Sequence, residues 1–132
     1  MYKNCKYSIQ GKFICKNVHL KTFSRDTILT NMIDKKTLKI PIAHGEGRYF
    51  ADEKVIEDLE NNDQILFKYC DEKGEVTANS NPNGSIKNIA GICNKDRNVF
   101  GMMPHPERAS DTELRSINGR KLFESILSKV IA

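Results

Sequence analysis

The chain has 132 residues, 39% hydrophobic and 29% charged, with 21 Lys and Arg against 17 Asp and Glu for a formal net charge of +4. That length fits one globular domain able to bury its own core. The basic residues are scattered rather than blocked, which argues against a nucleic-acid footprint, and no apolar run approaches the ~20 residues of a membrane span.

The opening stretch, MYKNCKYSIQGKF, carries charge but no apolar core, so it does not read as a secretory signal. Cys5, Cys15, Cys70 and Cys93 show no CxxC spacing, which argues against a zinc knuckle or a thioredoxin-type pair. Unpaired thiols without a signal point to a reducing cytoplasm. GKFICKNVHLKTF (11–23) places Phe13, Cys15, Val18 and Leu20 at strand positions, with an irregularity expected at Lys16–Asn17. TLKIPIAH (37–44) sets Leu38, Ile40 and Ile42 on one face. Pro41 has no N–H for a ladder, so this strand is expected at an edge or locally irregular. GEGRYF (45–50) reads as a loop or bend.

DEKVIEDLENN (52–62) predicts a short helix, with Asp52 and Glu53 at its positive end and Val55, Ile56 and Leu59 as its apolar stripe. QILFKYC (64–70) is a strand, and DEKGEVTANSNPNGS (71–85) is rich in turn residues. IAGICN (89–94) and VFGMM (99–103) read as adjacent strands or a hairpin. Ile117, Leu122, Phe123, Ile126, Leu127, Val130 and Ile131 recur at helical spacing, predicting an amphipathic helix over about 117–131. The fold class is α/β, with a strand-rich middle and a C-terminal amphipathic helix.

Three segments are candidates for chemistry. In GMMPHPERAS (101–110), prolines on both sides keep His105 out of any helix interior. In an extended segment, residues two apart point the same way. Glu107 would then accept a hydrogen bond from one ring nitrogen and leave the other free as a base. A rigid surface turn with an idle histidine is the competing reading. In IPIAHGEGRYF (40–50), Gly45 and Gly47 let backbone approach a ligand closely. A plain strand-end bend explains the same residues. NSNPNGS (79–85) is a recognition loop or simply a turn. HPE also fits the H-x-E of zinc deaminases, but that signature needs a P-C-x-x-C downstream, and all four cysteines lie upstream of His105. No metal ligands are assigned.

PIAHGEGRYF, NPNGS, IAGICN and NVFGMMPHPER, in that order, resemble the glutaminase subunits of phosphoribosylformylglycinamidine synthase, within the class I (triad) glutamine amidotransferases. GKFICKNV and NGRKLFESIL extend the likeness from about residue 11 to about 127. The resemblance implies a flavodoxin-like amidotransferase domain of which residues 1–132 form a single partial copy. It implies a reaction in which a cysteine thiolate attacks the glutamine side-chain amide and ammonia leaves. His105 is then general acid and base, Glu107 orients it, and His44, Gly45 and Glu46 contact the glutamine backbone. Ammonia passes to an ATP- and magnesium-using synthetase subunit, with a small accessory subunit, in purine biosynthesis. No cofactor is implied in this chain.

The family carries its nucleophile in a Gly-x-Cys-Asn-Gly turn ahead of the KFIC strand. No such turn occurs here, and none of the four cysteines stands in a nucleophile elbow. The chain is therefore expected to lack the N-terminal half and to be inactive alone, with apolar edges and a face of the last helix exposed. A partial sequence, a truncated gene and a chain completed by a second polypeptide all fit. Two other functions stay open: a non-catalytic module docking on the synthetase, and a metal-dependent hydrolase using His105 and Glu107.

Overall fold

A computed structural model describes residues 5–7 and 13–131, the first three as backbone only. In chain order the elements are β1 (Cys5–Tyr7), β2 (Ile14–Thr22), β3 (Leu38–His44), β4 (Glu46–Tyr49), α1 (Glu53–Asn61), β5 (Ile65–Cys70), β6 (Ile89–Cys93), β7 (Phe100–Met102) and α2 (Arg120–Ile131). Five strands form one antiparallel sheet in the order β3-β2-β5-β6-β7, and β1 pairs with β4 in a separate ribbon. Among the described residues, no helix is long and apolar enough to cross a membrane.

The edge position expected of the proline-bearing strand is observed. β3 is the first strand of its sheet, and Pro41 lies opposite Asn17 of β2. Lacking an N–H, Pro41 occupies a non-hydrogen-bonded pair, so its carbonyl turns away from β2 toward the free edge. The irregularity expected at Lys16–Asn17 is absent: β2 runs against β3 in continuous register from Ile14 to Leu20. Alternation sends Val18 and Leu20, with Leu38, Ile40 and Ile42, to the buried face. Phe67, Tyr69, Ala90, Ala109 and Leu122 belong to the same cluster. A smaller cluster joins Ile56 and Leu59 of α1 to Ile65 and Ile89.

Three local expectations need correction. Residues 46–49 form β4, because their backbone finds a partner in β1 that sequence spacing does not reveal. Val55 is exposed while Ile56 and Leu59 are buried, so the stripe of α1 is narrower than expected. The final helix starts at Arg120 rather than 117. Ile117 precedes it, beside a bridge between Asp111 and Ser116. Gly119 fixes that start: a Cβ there would overlap the Pro106 carbonyl. Leu122 is fully buried, whereas Phe123, Leu127, Val130 and Ile131 are exposed, as the expected uncovered face requires.

Candidate functional site

His105 is placed by three ties that come from the prolines around it. Pro104 is fully buried and anchors the segment after β7. The His105 N–H donates to the Pro41 carbonyl at 2.8 Å, using the free edge of β3. Pro106 then opens a short 3-10 turn, Pro106–Ala109, with its fixed φ at the first position. Ala109 is buried in the main core and its carbonyl accepts the Gly119 N–H at 2.7 Å, so the turn is held against the start of α2.

His105 Nδ1 lies 2.8 Å from Glu107 Oε1. The expected pairing is present, but it arises from this turn and not from an extended segment: Pro106 carries the chain around so that Glu107 folds back on the ring. An ionised carboxylate only accepts, so Nδ1 carries the proton and Nε2 of the neutral ring stays free as a base. The His105 side chain is 33% exposed and that of Glu107 58%. At such exposure the pair adds little stability. Its value is orientation.

The ring borders a cleft of about 460 Å³ whose walls include Gly47, Tyr49, Gly91, Met102 and Met103. An apolar concavity with a few convergent polar groups is the usual form of a small-molecule site. Among the described residues, no cysteine lines it. Cys15 is exposed on β2, and Cys70 and Cys93 are buried. Burial pushes the Cys70 thiol up to about 11 and raises that of Cys93 as well. The thiolate is the nucleophilic form, so neither thiol suits that role. Cys5 falls in β1, whose side chains lie outside the described residues. Among the described residues, no group of three or more His, Cys, Asp or Glu is placed to hold a metal ion.

The second sequence candidate is divided by the fold. Gly47 reaches the cleft, while His44, Gly45 and Glu46 do not line it. His44 closes β3 and is only 6% exposed. Burial, and after it the charge on His105, hold its pKa below the ordinary histidine value. A Cβ at Gly47 would sit 2.5 Å from Met103 Sδ and 2.7 Å from His44 Nδ1, so only glycine lets β4 pack this closely.

The third candidate contributes a residue that spacing could not single out. Asn83 of NSNPNGS is 3% exposed. Its Oδ1 accepts from Ser85 N at 3.1 Å and Ser85 Oγ at 2.8 Å. Its Nδ2 faces the Gly47 carbonyl at 3.2 Å, His44 Nε2 at 3.3 Å and the Tyr69 hydroxyl at 3.4 Å. Burial raises the Tyr69 phenol pKa, partly offset by the Asn83 hydrogen bond. Asn81 shapes the surrounding turn by accepting the Gly84 N–H at 2.8 Å. In the sequence, turn residues explain the loop completely; that one of its amides is turned inward appears only in three dimensions.

Residues 3–129 match the CobB/CobQ-like glutamine amidotransferase domain. The PurQ subunit of phosphoribosylformylglycinamidine synthase from Aquifex aeolicus is 52% identical over 122 residues, covering 92% of this chain and 54% of that protein. The corresponding subunit of Methanocaldococcus jannaschii is 49% identical over 121 residues, 91% of this chain and 53% of the relative. The solved PurLQS structure from Thermotoga maritima superposes with a TM-score of 0.77 at 38% identity, over 96% of this chain and 52% of that one. The chain thus spans about half the length of the relatives it matches.

Proposed function

This chain belongs to the family of CobB/CobQ-like glutamine amidotransferase domains, and from that premise we propose that it is the His-Glu part of the glutaminase component of phosphoribosylformylglycinamidine synthase. The observation that carries the reading is the His105 Nδ1–Glu107 Oε1 contact of 2.8 Å beside an apolar cleft. With Glu107 holding Nδ1–H, Nε2 of His105 takes the proton from an attacking thiol. It then returns that proton to the ammonia leaving the glutamine amide, and activates the water that releases glutamate. The thiol comes from a Gly-x-Cys-Asn-Gly turn on a segment outside this chain. Of residues 44–47, Gly47 alone lines the cleft and presents its backbone to the glutamine head group. Ammonia passes to the synthetase subunit, where ATP and magnesium are used, in a cytoplasmic complex that includes a small accessory subunit. The names of the relatives, PurQ and PurLQS, support these partners.

The test is a glutaminase assay on the 132-residue chain, alone and combined with a PurQ N-terminal segment bearing the elbow cysteine. No turnover is expected alone, and turnover dependent on His105 is expected in the combination. Robust turnover by the chain alone through Cys5, or turnover surviving His105→Ala, overturns the reading. The lack of a cysteine among the described residues that line the cleft favours one second reading, a module that docks on the synthetase without making ammonia. Binding of the synthetase with no restorable glutaminase supports it, and no binding removes it.

A further inference from the structure

The buried amide of Asn83 has only one orientation that satisfies its surroundings. Ser85 N and Ser85 Oγ both approach its Oδ1, and the Ser85 N–H can only donate. Its Nδ2 is therefore the end that faces the Gly47 carbonyl, His44 Nε2 and Tyr69 Oη. An amide nitrogen donates and cannot accept. Its two hydrogens serve the Gly47 carbonyl and, shared with Tyr69 Oη, His44 Nε2, which is then the accepting nitrogen of a neutral ring with its proton on Nδ1. That Nδ1 is buried, has no hydrogen-bond partner among the described residues, and lies against Gly47. Protonating Nε2 would set two donors against each other in a dry site and orphan both, against the single orphan N–H of the Nδ1–H tautomer.

This arrangement is joined to the cleft through Gly47, which lines it. Gly47 and Met103 line the cleft together with His105, and both close on His44 Nδ1 or on the space beside it. Asn83 grips the Gly47 carbonyl and the His44 ring at once. It thereby fixes the height of the β4 backbone under the cleft and keeps a neutral ring near the base. A second positive charge there would oppose protonation of His105.

We propose that Asn83 is a positioning residue for His105: it locks His44 in the Nδ1–H tautomer and, through Gly47, sets the floor of the cleft in which His105 transfers protons. The proposal rests on the glutaminase reading for the role of His105, but the tautomer of His44 does not depend on it.

The experiment is long-range proton–nitrogen correlation NMR on the chain with nitrogen-labelled histidine. The wild type is expected to show His44 with Nδ1 protonated and Nε2 bare at neutral pH. Asn83→Asp places a carboxylate against Nε2 and is expected to move the His44 proton to Nε2 or to protonate both nitrogens. A wild-type His44 protonated at Nε2, or an Asn83→Asp spectrum with His44 unchanged, overturns the proposal. Should Asn83→Asp fail to fold, the wild-type tautomer alone still decides. The functional arm uses the chain combined with the elbow-bearing segment. Asn83→Asp is expected to lower kcat about tenfold or more through misplacement of the base, with a smaller change in KM. Unchanged kcat in Asn83→Asp, with turnover still abolished by His105→Ala, rejects the positioning role and leaves the glutaminase reading standing. Turnover that survives His105→Ala rejects that reading instead.

Discussion

His105 and His44 hold the same neutral tautomer in opposite settings. Around His105, the Nδ1–H meets a carboxylate and Nε2 is open beside the cleft. Around His44, Nε2 is capped by an amide N–H and Nδ1 is buried without a partner among the described residues. Glu107 offers only acceptors to the His105 ring, whereas the Asn83 amide offers the His44 ring a donor. The difference is made by Glu107 and Asn83; on the proposed reading the half-exposed ring transfers protons and the buried one supports it.

The widest separation comes from substituting those two partners. Glu107→Gln removes the charge but little else. In the chain combined with the elbow-bearing segment it is expected to lower glutamine turnover about a hundredfold or more. Denaturant unfolding of the same variant is expected to change by less than about 0.5 kcal/mol, because the pair is on the surface. Asn83→Leu should behave in the opposite sense. It strands the Gly47 carbonyl, His44 Nε2 and the Ser85 N–H in a buried site, at about 1–3 kcal/mol for each group that water cannot reach. If Glu107→Gln instead destabilises the chain as much as Asn83→Leu does, the division between working rim and supporting floor is wrong.

Gly119→Ala probes the rim from the far side. Its Cβ would overlap the Pro106 carbonyl, so the turn bearing Glu107 or the start of α2 must shift. A loss of about 1–3 kcal/mol is expected, as for overpacked sites generally, with displaced resonances for His105 and Glu107. Unmoved His105 resonances would show that the turn does not depend on this contact.

The smallest effect lies in pH. The His44 ring takes up its proton at lower pH in the folded chain than its ordinary value of 6.5. Between those two values the unfolded chain binds more protons, so stability is full above about 6.5 and falls as pH drops below it. His44→Gln keeps an acceptor for Asn83 and removes the titration. Its unfolding midpoint should therefore vary less between pH 8 and pH 5 than that of the wild type, in about the window set by a histidine. Parallel pH curves for the two proteins would contradict the buried, neutral assignment.

Much of the rim was legible in the sequence because prolines are rigid. Pro41 marked an edge strand, and Pro104 and Pro106 marked His105 as standing outside any helix. The pairing with Glu107 is also legible there, though a 3-10 turn produces it rather than extended backbone. The floor was much less legible. β4 is not legible because its ladder partner, β1, is 42 residues away in sequence by register (Lys6 opposite Arg48), and strand spacing carries no record of distant pairing. Asn83 escaped because asparagine between proline and glycine is what any turn uses. The exposed face of α2 was legible from the family likeness, not from periodicity, since helical spacing alone gives no sign of which apolar residues find cover.

On the proposed reading, His105 is the general base of a glutaminase whose thiol lies on another segment. Glutamate release should be measured with the 132-residue chain alone, with a PurQ N-terminal segment bearing the elbow cysteine, and with that segment plus the His105→Ala chain. The account predicts no release in the first case, release in the second, and a loss of about 10²–10⁴ in the third. Release by the chain alone, or release undiminished by His105→Ala, would contradict it.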